Sequence, residues 1–251
     1  MALEDILLMI CARAVSNQES NDSSSLLRFN EFAAGAGNLS KALLRRGLHG
    51  GSWDILFDES HDCLKPEGFK LWLLALSSMS RDSLCWFGTK CSSWVILCLS
   101  QSDRRVENDW WGDQDRDFVI EGNALMTVTS ILFFLGFLLG HIVILEQPRS
   151  SSMPLVPLMA SVLAYTKCLR CDTYLGSFGS RTEKAIQLWS NKSLEPLRRD
   201  KPTLEANCLC ERDDSGGFTG KKDELKESEV YPVLFGEAVA DFFVGSTAAV
   251  S

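Results

Sequence analysis

Basic residues are in short supply. The chain has 251 residues, with 25 Lys and Arg against 33 Asp and Glu, a formal charge of -8. A sequence-independent grip on nucleic acid needs a broadly basic surface, so the net charge does not support one; a local basic patch, and nucleic acid as a partner, stay open. Histidine is scarcer still, with three, and none lies close to Cys168-x-x-Cys171 or Cys208-x-Cys210. The second spacing is too short for a zinc knuckle, so both pairs read as incidental thiols rather than a metal site. A basic leader is also missing. Residues 1–15 carry Glu4 and Asp5 and read as a short amphipathic helix, not a secretory signal. The nine cysteines then read as reduced thiols, and the expected location is intracellular, cytoplasmic or nuclear. No internal repeat is visible.

Apolar bulk is plentiful, with 45% hydrophobic residues, seven Trp and 14 Phe. That is enough core for one large α/β domain. The expected organisation is an N-terminal helix and Ser/Asn-rich linker over 1–27 and a main domain over 28–197. A charged, disordered insertion over 198–229 and a docking C-terminal helix within 230–251 complete it. Strands are expected at Arg28–Phe32, Trp53–Leu56 and Leu84–Phe87. Helices are expected from the first glycine turn to Arg46, over Pro66–Met79 and over 154–166. Tyr174–Ser190 reads as irregular strands or a hairpin. The polar stretch 101–122 reads as a surface loop, a mobile lid. Alternating strands and helices imply a Rossmann-like, mostly parallel sheet with helices on both faces. Ligands in such sheets bind beyond the carboxyl ends of the strands.

One run offers a different architecture. Residues 124–145 are uncharged apart from His141, and that length could span a bilayer. The preferred reading splits the run into a helix over about 123–138, a break at Gly140-His141 and a strand Ile142–Leu145. Glu146-Gln147-Pro148 then follows as a strand-end motif. A membrane anchor through 124–145 is the alternative.

The chemistry-bearing residues fall at predicted strand ends. Phe32-Ala33-Ala34-Gly35-Ala36-Gly37-Asn38-Leu39-Ser40 reads as a strand end, a glycine turn and a helix start. Gly35 and Gly37 permit a sharp turn and a close approach of backbone to a ligand. Asn38 or Ser40 could cap the helix. Asp54 ends the second strand, where a carboxylate can accept ribose hydroxyls, or simply sit in a solvated turn. Asp62 could reach an adenine amino group or cap the helix near Pro66. Cys91 follows the third strand beside Lys90, which could lower its pKa and make it a nucleophile; it could equally be an inert thiol. Glu146 could pair with a heterocycle, act as a proton donor, or partner Arg149.

In order, these motifs resemble the S-adenosylmethionine-dependent methyltransferases, and among them the DNA (cytosine-5) methyltransferases. Phe-Ala-x-Gly-Ala-Gly-Asn-Leu-Ser, Cys-Ser-Ser-Trp, Leu-Glu-Gln-Pro and Phe-Gly-Ser-Arg-Thr-x-Lys are also similar to a group of compact methyltransferase-like proteins. The resemblance runs in islands over about 28–242. It implies S-adenosylmethionine as cofactor, held by Phe32, Gly35, Gly37, Asn38, Asp54 and Asp62, with no metal. It implies Cys91 as nucleophile and Glu146 as the residue contacting a cytosine. Tyr231-Pro232-x-x-Phe235-Gly236 resembles the family's last motif, which packs beside the cofactor. Lys90 stands where the family has proline, Gln147-Pro148 where it has Asn-Val, and the paired arginines of its base pocket have only Arg181 and Lys184 nearby. A catalytically inactive binding module is therefore a second expectation, and the methyl acceptor is not specified, with nucleic acid left open.

Overall fold

The structure, a computed structural model, describes residues 27–202, 210–212, 218–220 and 229–248. The expectations for residues 1–26, and for most of 203–228, lie outside the described residues. Six strands form one sheet: β1 (Leu27–Phe32), β2 (Gly50–Trp53), β3 (Met79–Phe87), β4 (Ile142–Pro148), β5 (Leu169–Tyr174) and β6 (Ala185–Ser190). Their order is β2-β1-β3-β4-β6-β5. β1 pairs in parallel with β2 and β3, and β3 with β4. β6 runs antiparallel to both of its neighbours, β4 and β5. A separate two-stranded ladder joins β7 (Cys210–Arg212) and β8 (Phe218–Gly220).

Helices cover both faces. On one face, α1 (Asn38–Arg45) and α5 (Val233–Ala248) pack together. Leu39, Leu43, Phe235, Val239 and Phe243 there bury against Phe29, Trp86 and Leu188. Arg45 of α1 and Arg46, which follows it, reach Glu237 and Asp241 of α5, exposed pairs that add little beyond orientation. On the other face, α2 (Pro66–Ser77), α3 (Asp117–Leu138) and α4 (Pro157–Tyr165) cover Phe32, Phe87 and Leu145.

The long apolar run is split. α3 ends at Leu138, Gly140 turns the chain at φ 80, and β4 enters the sheet between β3 and β6. By length and composition α3 is apolar enough to cross a membrane; here it packs on the sheet, with Met126, Leu132 and Phe133 at 0% exposure.

Three sequence expectations are corrected. The second strand is Gly50–Trp53, and residues 54–57 form a turn closed by Phe57 N–H to the Asp54 carbonyl at 3.0 Å. Gly50 belongs in the strand because the Phe29 ring lies over it: a Cβ there would sit 2.3 Å from that ring. The third strand begins at Met79, so the preceding helix stops at Ser77. The stretch 101–122 is not a free lid. α3 already starts at Asp117, and the segment before it is held by a buried arginine described below.

Candidate functional site

The chain leaves β1 toward β2 on one side, while β3 lies on the other. The crevice beyond the carboxyl ends of β1 and β3 is thus the point where strand order reverses, the usual ligand position in open α/β sheets. The β1–α1 turn sits there. Ala33, Gly35 and Gly37 all have positive φ, at 55°, 55° and 66°. Gly37 itself is the N-cap of α1 and no side chain caps the helix. Neither Asn38 nor Ser40 therefore caps it; a left-handed backbone at that position admits glycine readily. The turn is tied to the end of β2: Gly35 N–H donates to Asp54 Oδ2 at 2.8 Å. Asp54 Oδ1 accepts Leu56 N–H at 2.8 Å, and its own N–H donates to His61 Nδ1 at 3.3 Å.

Below the turn lies a residue the sequence reading missed. Glu31, in the last turn-ward part of β1, is 0% exposed. Its Oε2 accepts the Ser40 N–H at 2.9 Å and the Ser40 hydroxyl. Its Oε1 is buried with no hydrogen-bond partner among the described residues. Burial pushes the carboxyl up to about 7, with the neighbouring Asp54 adding to the shift and Ser40 opposing it. A charged residue in an otherwise buried strand was the available signal.

Glu146 of β4 has the same character. It is 6% exposed, its Oε2 accepts the Tyr231 hydroxyl at 2.7 Å, and its Oε1 is unpartnered among the described residues. Burial raises its pKa, against the opposing pull of Lys184 and Tyr231. Tyr231 joins the two halves of the crevice. Its hydroxyl also accepts Trp86 Nε1–H at 3.2 Å, and its carbonyl accepts Asn38 Nδ2–H at 2.7 Å. Gly88 makes room for this junction: a Cβ would lie 3.0 Å from both the Tyr231 hydroxyl and the Ala33 carbonyl.

Cys91 shares this neighbourhood, since Glu146 and Lys184 both act on it electrostatically. Its environment is the reverse of what its sequence neighbour suggested. Lys90 Nζ turns away to Glu121 at 2.8 Å. Burial first, then the Glu146 carboxylate, push the Cys91 thiol up to about 11. At neutral pH it stands as a thiol.

The turn carrying Cys91 is fixed from behind. Arg104 is 2% exposed, and its guanidinium lies 3.3 Å from the Trp94 ring centre. It donates to Ser93 O and Oγ, Asn123 Oδ1, and the carbonyls of Trp110, Trp111 and Val119. Ser152 N–H completes the clamp on the Trp94 carbonyl at 3.0 Å.

Of the predicted cofactor residues, Gly35, Gly37, Asn38 and Asp54 meet around one turn. Phe32 does not contribute a side chain: it is 0% exposed, its ring packed 4.9 Å from Trp72 and 5.0 Å from Phe87. Asp62 bonds within its own turn, accepting Leu64 N–H at 3.1 Å and pairing with Lys65 at 3.5 Å. Among the described residues, no group of three His, Cys, Asp or Glu could hold a metal ion. Sheet and crevice together define a Rossmann-like α/β protein. Beyond that class, no protein-family model matches the chain, and neither does any curated protein.

Proposed function

We infer that this chain is an S-adenosylmethionine-binding, methyltransferase-like domain, and the observation that carries this reading is the placement of Glu31. A helix N-terminus after a glycine turn normally favours an anion such as a pyrophosphate. Here a carboxylate of the chain already occupies part of the first turn of α1: Ser40 N–H and hydroxyl are bound to Glu31. Glu31, Asp54 and Glu146 make the crevice acidic, with one buried acceptor oxygen spare on each of two glutamates. That chemistry suits a ligand with cationic and N–H donor groups and opposes a dinucleotide.

S-adenosylmethionine, which carries an ammonium and a sulfonium, supplies an electrophilic methyl group when bound. Gly35 and Gly37 would give its backbone-hugging part room, Asp54 would accept from its hydroxyls, and Glu31 Oε1 would accept from an amine. Glu146, oriented by Tyr231, would offer its Oε1 to an N–H donor on the methyl acceptor. Cys91 would line that pocket as a neutral thiol. The raised thiol and the Lys90–Glu121 pair favour a second reading, a domain that binds the cofactor without transferring its methyl group.

Isothermal titration of the full chain with S-adenosylmethionine and with NAD tests the first reading. Saturable binding of the former only is expected, with at least a tenfold loss in Gly35→Val, where space is open but φ is +55°. No binding of S-adenosylmethionine overturns it. Binding without methylation of any oligonucleotide, free nucleotide or protein supports the second reading.

A further inference from the structure

β4 and β6 present two different faces. Glu146 lies opposite Leu188, whereas Leu145 lies opposite Trp189 and Gln147 opposite Gln187. Residues directly opposite share a face, so the face bearing Gln187 and Trp189 looks away from Glu146 and its crevice. β5 extends that face: Arg170 pairs with Trp189 and Asp172 with Gln187. On it lies a groove of about 270 Å³ whose walls include Trp110, Trp189, Arg149, Arg170, Ser150 and Gln187. This is slightly below the ~300–1,000 Å³ of pockets for drug-sized ligands.

The aromatic walls are held in place. Trp189 Nε1–H donates to Gln187 Oε1 at 3.1 Å, and Gln187 Nε2 donates to the carbonyls of Pro148 and Ser151 at 3.0 and 3.2 Å. The Trp110 carbonyl is bound by buried Arg104 at 2.8 Å. The charged part is differently balanced. Asp172 accepts Arg170 at 2.7 and 3.1 Å and pairs with Arg149 at 3.5 Å. Two guanidiniums thus share one carboxylate, on a chain whose formal charge is -8. Both remain open to solvent, at 51% and 41% side-chain exposure. Guanidinium forks bind phosphate oxygens in pairs, and indole faces stack on heterocycles.

We propose that this groove binds a nucleoside monophosphate, its base against Trp189 and Trp110 and its phosphate across Arg149 and Arg170 in competition with Asp172. The site is separate from the cofactor crevice, and its ligand carries one base and one phosphate to match the two indoles and two guanidiniums of its walls.

Titration calorimetry of the full chain with uridine and adenosine monophosphates at low salt tests this. Saturable binding is expected, weakened at least tenfold in Arg149→Ala/Arg170→Ala. Asp172→Asn removes the carboxylate both guanidiniums share, leaving Arg149 on the Tyr174 hydroxyl at 2.8 Å and Arg170 over the Trp189 ring, and is expected to tighten binding several-fold; Arg149→Ala alone, at a half-exposed surface, is expected to weaken it about threefold to tenfold. Inorganic phosphate and free uridine should each bind at least tenfold more weakly than the monophosphate. The proposal is overturned if neither monophosphate binds, if phosphate alone binds as tightly, if Asp172→Asn weakens binding in a protein with unchanged circular dichroism, or if only a longer oligonucleotide binds. S-adenosylmethionine titrations of the same variants should match wild type, so failure of either reading is distinguishable from failure of the other.

Discussion

The segment around Arg104 and the crevice around Glu31 and Glu146 bury charge in opposite ways. Arg104, 2% exposed, directs its donors at serine, asparagine and backbone oxygens and stacks on Trp94. Glu31 and Glu146, 0% and 6% exposed, each keep one oxygen without a partner among the described residues. Taking a charge out of water costs several kcal/mol unless hydrogen bonds replace the hydration. Around Arg104 the chain supplies that replacement itself, so the residue is structural. Around the glutamates the replacement is incomplete, and burial instead raises both carboxyl pKa values.

Removing the satisfied charge is expected to have the largest effect. Arg104→Met takes the buried donor from the Ser93 and Trp110 carbonyls, the Ser93 hydroxyl and Asn123 Oδ1, while the Trp111 carbonyl keeps the Asn123 and Gln114 amides. Each buried acceptor left unpaired costs about 1–3 kcal/mol, so the combined loss is the largest expected, read as a lower denaturation midpoint at unchanged slope. Lysine cannot span the same set of acceptors and should recover only part of the loss. A cost below about 1 kcal/mol would mean the segment is the loosely held loop that its composition suggested.

The unsatisfied carboxylate predicts a pH effect of somewhat smaller size. Glu31 is raised from 4.5 to about 7, so the folded state holds its proton more tightly than the unfolded chain. Its contribution is fully present below pH 4.5 and is lost as pH rises through 7. His141, 1% exposed at the opposite end of β4, is lowered from 6.5 to about 4, mainly by burial. Its contribution is fully present above pH 6.5 and is lost as pH falls toward 4. Each amounts to about 3 kcal/mol by linkage, and across this window they oppose one another. Glu146 is also raised by burial and adds to the Glu31 side, so the expected effect is a difference: between pH 4.5 and 6.5 the stability of Glu31→Gln should rise relative to wild type as pH increases. Parallel profiles in wild type and Glu31→Gln would show that the buried Glu31 carboxyl does not hold its proton more tightly in the folded state.

Parts of the architecture were legible because they are local patterns. The glycine turn, the Pro66 helix start and the Gly140 break each rest on a few adjacent residues whose backbone preferences are strong. β2 was misplaced because its sequence, Gly50-Gly51-Ser52-Trp53, lacks apolar alternation; the glycines answer to the Phe29 ring on the neighbouring strand. Arg104 looks in sequence like any arginine of a charged loop, and only tertiary packing aims it at Trp94. Tyr231 was legible as part of a terminal motif, but not as the hydroxyl that reaches across 85 residues to Glu146. Site residues were thus readable where one strand end defines them and unreadable where two distant elements do.

The direction of Lys90 gives the smallest but sharpest comparison. Adjacent in sequence, Lys90 pairs with Glu121 and is half-exposed, whereas Cys91 answers to Glu146 across the crevice. Cys91 alkylation by iodoacetamide, followed residue by residue with mass spectrometry as a function of pH, separates the two influences. In wild type the rate at pH 7 should be slow, because the thiol titrates at about 11 and the thiolate is the reacting form. Glu146→Gln removes the carboxylate that helps hold the proton and should move the titration downward, speeding alkylation several-fold. Lys90→Ala should leave the profile where it is, because that ammonium is engaged 2.8 Å from Glu121. If Lys90→Ala slows alkylation while Glu146→Gln does nothing, the thiol is governed by its neighbour in the chain rather than its neighbour in the fold, and the crevice is not the unit described here.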